Sequence, residues 1–119
     1  MADRILTWYI EEPKGDGTQQ GTTFCLDRDY MPVCVRAYAG TPPDADELSI
    51  DLLNDGVSIL TNKAQLQANQ NLLDWFEDIN EVVMNKYSIV TLNLVANGAK
   101  KITVMLELEV SETQDEEPV

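Results

Sequence analysis

The side chains able to do chemistry in this sequence are a surplus of carboxylates, two thiols and a scatter of aromatic rings. There is no histidine. That removes Ser-His-Asp and Cys-His catalysis, imidazole acid–base chemistry and the common zinc sites. Cys25 and Cys34 are too few for a thiolate metal cage and are not spaced as CxxC. Neither GxGxxG nor GxxxxGK[ST] occurs, so no phosphate-cradling loop is marked. Paired carboxylates can hydrolyse glycosides, but that chemistry needs a substrate groove and one raised pKa, and no pattern marks either. The expectation is a protein with no catalytic residues, no cofactor and no resident metal.

Each remaining group has a structural reading beside the chemical one. Asp44, Asp46 and Glu47 precede an apolar alternating segment, and Asp51, Asn54 and Asp55 close it. Carboxylates clustered in loops can hold Ca²⁺. However, Leu48 takes the fifth position of a loop starting at Asp44 and the sixth is not glycine, so a solvated acidic rim is expected. Cys25 and Cys34 flank Asp29-Tyr30 symmetrically. Pairing of 22–27 with 33–39 across a turn there would set the two opposite each other, close enough to bridge. With no secretory signal in MADRILTWYIEE, a reducing compartment and two free thiols are expected. Trp8 shares its face with Leu6 and Ile10 and is expected in the core, whereas Tyr9 is expected at the surface.

The elements that must position these groups show a period of two. Residues 102–110 alternate Ile102, Val104, Leu106, Leu108 and Val110 against Thr103, Met105, Glu107 and Glu109. Residues 88–96 alternate likewise, and Asn97-Gly98 between them predicts a hairpin. Further strands are expected over 3–10, 47–53 and 57–60, with shorter ones at 22–27, 33–39 and 64–67. About eight strands with turns at this spacing predict an all-β, single-domain antiparallel sandwich over 1–110. Segments 11–21 and 40–44 read as loops, and Pro32 belongs at a strand start or edge. Residues 111–119 read as an acidic tail. In 71–86, Leu72, Trp75, Phe76, Ile79, Val82 and Val83 fall at helical spacing, which predicts one short helical or irregular crossover near 71–84. Its rings either fill the core or form a patch that docks a neighbour.

Composition narrows the partners. The 119 residues suit one domain. The 21 acids against 8 bases give a formal charge of −13, which repels phosphate backbones and anionic membranes. No apolar run approaches the ~20 residues of a membrane helix. Neither a nucleic-acid nor a membrane partner is expected.

The order of segments carries a resemblance. Arg4-Ile5-Leu6-Thr7-Trp8-Tyr9-Ile10 opens the chain. After a Gly-rich loop comes Cys25-Leu26-Asp27-Arg28-Asp29-Tyr30-Met31-Pro32-Val33, then Leu48-Ser49-Ile50-Asp51-Leu52-Leu53-Asn54-Asp55-Gly56-Val57-Ser58-Ile59-Leu60. Val90-Thr91-Leu92-Asn93-Leu94 and Ile102-Thr103-Val104-Met105-Leu106-Glu107-Leu108 follow. Over residues 4–110 this resembles small β-sandwich virion proteins of tailed bacteriophages; residues 68–86 depart from it by being more apolar. The resemblance implies a jelly-roll-like sandwich that performs no chemistry and decorates the outer capsid surface as a cement protein. It implies synthesis in the host cytoplasm, a place on the virion, contact with the major capsid protein or other virion subunits, and a homo-oligomer, with a trimer favoured. Contact is expected through Ala2, Asp3, Arg4 and Ile5 and through Leu72, Trp75, Phe76 and Ile79. Two rival readings are a tail, baseplate or receptor-facing glycan-binding module, and a small acidic inhibitor that mimics DNA.

Overall fold

A computed structural model describes residues 3–15, 18–80 and 82–111, with Thr18 described in its backbone alone. Ala2 and the acidic tail 112–119 lie outside the described residues. Nine strands form: β1 (Arg4–Ile10), β2 (Thr18–Cys25), β3 (Tyr30–Thr41), β4 (Leu48–Asn54), β5 (Val57–Ser58), β6 (Ala64–Leu66), β7 (Leu72–Phe76), β8 (Ile89–Val95) and β9 (Lys100–Val110). There is no helix among the described residues. The first sheet runs β1-β9-β3-β7. The second runs β2-β8-β4-β5, with β6 also on β4, and every pairing is antiparallel. Strands β5 and β6 share the same side of β4. Counted as one position, they make the sheets read 1-8-3-6 and 2-7-4-5, the order of a jelly roll.

The period-two pattern explains the two layers. Leu6, Trp8 and Ile10 of β1, Val35, Ala37 and Ala39 of β3, and Ile102, Val104, Leu106 and Leu108 of β9 turn inward from the first sheet. Leu48, Ile50 and Leu52 of β4 and Val90, Leu92 and Leu94 of β8 meet them from the second. All are buried, so each strand removes one whole face from water, at roughly 25 cal/mol per Å² of apolar surface. Small Ala37 lies in the same inward row as the widest side chain of the core, Trp8, which is 1% exposed, with Val104 between them.

At the shared edge of the layers, the indole Nε1 of Trp8 donates to Thr22 O at 2.7 Å, and its ring meets Phe24 edge-on at 5.0 Å. That contact requires β2 to kink. Its register with β8 shifts between Gln20 and Phe24, and Gly21 sits at φ +71°, where a Cβ would stand 2.7 Å from Ile10 Cδ1.

Two sequence expectations are corrected, and two points left open are decided. The 88–96 and 102–110 strands exist, but they do not pair as a hairpin: β8 lies in the second sheet and β9 in the first. Asn97 (φ 48°) and Gly98 (φ 94°) make the tight turn as expected, with Ala99 N donating to Ala96 O, yet the chain then arches across the core. Both strands have an apolar face, and placing them in opposite layers buries both faces against each other.

Residues 22–27 and 33–39 do not pair either, because β2 and β3 belong to different sheets. Cys25 is exposed, Cys34 is buried, and both are free thiols. The crossover near 71–84, expected as helical or irregular, takes the irregular form: it opens with β7 and continues with isolated bridges, Leu60 to Ile79 and Tyr30 to Met84. Finally, the loop expected over 11–21 is shorter, since β2 begins at Thr18. Pro32 stands at a register shift in β3, with its nitrogen turned from β9 toward a side that β7 does not reach.

Candidate docking surface

The register aligns the outward side chains of the first sheet into rows. Tyr9 of β1, Thr103 of β9, Tyr38 of β3 and Leu72 of β7 form one row across all four strands. Thr7, Met105 and Arg36 form the next, and Ile5, Glu107 and Cys34 the third. Trp75 of β7 lies over the second row, with the Arg36 guanidinium carbon 5.2 Å from its ring centroid. Ile5 (49%), Tyr9 (56%), Tyr38 (49%), Leu72 (57%) and Trp75 (48%) are all well exposed. Apolar and aromatic surface that alternation sends outward is expected to be rare on an isolated domain.

Charge inside this face is paired. Arg36 Nη1 lies 3.3 Å from Glu107 Oε2 while its guanidinium stacks on Trp75, so one cation serves both an acid and a ring. Arg36 Nε is buried without a hydrogen-bond partner. Beneath this pair the Cys34 thiol is pushed up to about 11, first by burial and then by the negative charge of Glu107, with Arg36 opposing. The second sheet's outer face is mixed: Gln19, Asn93 and Asp51 align across its centre, Ser49 pairs with Val95 and Thr91 with Leu53 on either side, and Ile89 is exposed beyond them. The first sheet's outer face is set apart by the exposed rings of Tyr9, Tyr38 and Trp75, where the second carries aliphatic side chains among polar ones.

Of the residues expected at a contact, Ile5, Leu72 and Trp75 come together on the first sheet's outer face, from opposite edges. Phe76 pairs with Val35 and packs against the core, as does Ile79. Asp3 and Arg4 tie down the end of the sandwich. Asp3 Oδ2 accepts from Val110 N at 2.8 Å, and Arg4 Nη1 donates to Asp27 Oδ1 at 2.7 Å. The Tyr30 hydroxyl donates to the same Asp27 oxygen at 2.7 Å. This hydroxyl, with Arg4 adding to it, holds the Asp27 carboxyl below the usual carboxylate range, while Tyr30 itself is raised by burial and by Asp27. Sequence reasoning did not assign Tyr38, Arg36 or Met105 to the face. The signal was their parity: each is out of phase with the inward residues of its own strand.

Two hollows complete the surface. A cavity of about 300 Å³ lies between the β4–β5 turn and residues 80–85, lined by Asn54, Ser58, Ile59, Asn80, Met84 and Asn85 among others. A shallower one of about 70 Å³ lies over the second sheet at Ser49, Asp51, Lys63 and Asn93. Among the described residues neither brings two carboxylates together, and no three metal-ligating side chains converge. No protein-family model matches this chain, and no characterised protein matches it either.

Proposed function

We propose that this chain is a structural subunit of a bacteriophage virion that docks through the outer face of its first sheet. In its most specific form it is a capsid decoration protein seated on the major capsid protein. The observation that carries the reading is the set of five exposed apolar side chains, three of them aromatic rings, on the outer face of one sheet. The jelly-roll strand order and the resemblance over residues 4–110 supply the virion context. Such a protein works by mass action: it binds the assembled shell and not its separated subunits, and the shell gains stability in proportion to that difference. The formal charge of −13 would leave decorated particles mutually repelling.

The test uses shells of the encoding phage that lack this protein. The full chain is expected to bind them and raise their melting temperature. Tyr38→Ala and Trp75→Ala, both at exposed positions, should each weaken binding about 30-fold while leaving the protein's own melting unchanged. Binding that both variants retain at full strength would refute docking through this face. A second reading draws on one further observation, that the rings of Tyr9, Tyr38 and Trp75 share this face: a receptor-facing module that stacks glycans. It predicts binding to a glycan array and none to shells.

A further inference from the structure

The two sheets have four edges among the described residues, one of them shared by β5 and β6, and three of these edges are blunted. Strand β7 has five residues, a register shift against β3 and exposed Asp74. Strand β2 is broken by the kink at Gly21. Strands β5 and β6 have two and three residues. These are the devices that keep sheets from adding further strands. Strand β1 has none of them. Its seven residues keep unbroken register with β9 and include no proline, glycine or lysine. Its one charge, Arg4, is held by Asp27.

The open side of β1 can be read from the ladder. Tyr30 and Met84 exchange bonds, and Ala39 N donates to Asn71 O, so these β3 residues bond away from β9. Given the shift between Pro32 and Cys34, β9 from Ile102 to Val110 then bonds β3 through its odd-numbered residues and β1 through its even-numbered ones; at Lys101, where φ is +53°, the N–H turns to Glu11 O instead. By the register with β9, Leu6, Trp8 and Ile10 of β1 face β9, while the N–H and C=O groups of Ile5, Thr7 and Tyr9 face outward from the sheet.

We propose that two copies of this chain pair through β1, antiparallel about a two-fold axis at Thr7, joining two four-stranded sheets into one. The register that overlaps the whole strand is self-complementary. Thr7 meets Thr7, and Ile5 of each copy meets Tyr9 of the other, an aliphatic–aromatic pair on the outer face. All the outward-facing main-chain groups of Ile5, Thr7 and Tyr9 are then bonded. A second copy is the occupant because β1 is poor in charge within a chain of −13 and carries no acid between Arg4 and Ile10. Only Asp3 and Glu11 face each other at the two ends, so added salt should tighten the pair. The blunted edges elsewhere stop the assembly at two copies.

Sedimentation equilibrium of the full chain over a wide concentration series tests this. A reversible monomer–dimer equilibrium that tightens with salt is expected. Thr7→Pro deletes only the N–H on the open side, and Thr7→Lys places a charge at the axis. Each should weaken the dimer about tenfold or more, with far-UV circular dichroism unchanged. Trp75→Lys, at the far edge of the same sheet, should leave the dimer intact. Should Thr7→Pro lose its fold, Thr7→Lys alone decides. A monomer at every concentration, a trimer, a dimer untouched by Thr7→Lys, or one dissolved by Trp75→Lys would each overturn the proposal. Binding to phage shells is read separately, so failure of the docking face and failure of this pairing are distinguishable.

Discussion

Replacing Gly21 with alanine should destabilise the sandwich through two separable effects. The residue sits at φ +71°, where an L-residue with a Cβ is strained by about 1–2 kcal/mol. The new methyl would also stand 2.7 Å from Ile10 Cδ1, inside contact distance of a side chain already 7% exposed and packed, and overpacking of this kind costs about 1–3 kcal/mol. Together they give about 2–5 kcal/mol, a large share of a small domain's stability. The second effect can be isolated. Ile10→Val removes Cδ1 and alone should cost about 0.5–1.5 kcal/mol. In the double variant the valine leaves room for the methyl, so its loss should fall short of the sum by about 1 kcal/mol. Urea unfolding of the four proteins, with unchanged m-values, measures this directly. Losses that add within about 0.3 kcal/mol would show that the methyl never meets Ile10. A cost below about 0.5 kcal/mol for Gly21→Ala alone would mean that β2 does not kink over Trp8 as described.

Two further outcomes follow from groups already placed. Cys34 is buried and its thiol is pushed up to about 11, so in the native protein at mild pH a thiol reagent should label exposed Cys25 quickly and Cys34 only on unfolding. Equal labelling rates would contradict the packing beneath Arg36 and Glu107. Asp27 titrates below its ordinary 3.8 in the folded protein, chiefly through the Tyr30 hydroxyl. Its contribution is therefore present in full above that value and lost as pH falls through the lower folded pKa. Its side chain is 63% exposed, so the contribution is under about 1 kcal/mol. The melting-temperature advantage of wild type over Asp27→Asn should shrink below about pH 4; an advantage that grows on acidification would refute the assignment.

Period two was enough to find every strand but β7, to bury Trp8 and to expose Tyr9, because alternation reports which face of a strand meets apolar surface. It does not report which layer the strand joins. Residues 88–96 and 102–110 alternate equally well as hairpin partners and as the two sides of an arch, and Asn97-Gly98 suits either. Only the other strands decide, since β9 is claimed by β1 and β3. The 71–86 stretch misled for a different reason. Its register shift against β3 puts Leu73 and Phe76 inward and Leu72 and Trp75 outward, an irregular spacing that imitates a helical stripe. The exposed aromatic face of the first sheet was legible one residue at a time. Ile5, Leu72 and Trp75 stood out as candidates, but nothing local says that residues near 5 and near 75 lie across one sheet, because that adjacency is created by β9 and β3 between them.

The position of β9 also bears on how the chain acquires its structure. Among the described strands it is the last to be synthesised, and it lies between β1 and β3, the first and third of them. Until residues near 110 have left the ribosome, β1 has no neighbour in its sheet, and the apolar faces of Leu6, Trp8 and Ile10 wait uncovered. Sequence-distant pairing of this kind makes folding slow, in the millisecond-to-second range, and holds back one whole layer until β9 has emerged. A nascent chain stalled before β9 would expose both the edge and the inner face of β1, which makes the interval before that strand emerges the period of greatest aggregation risk.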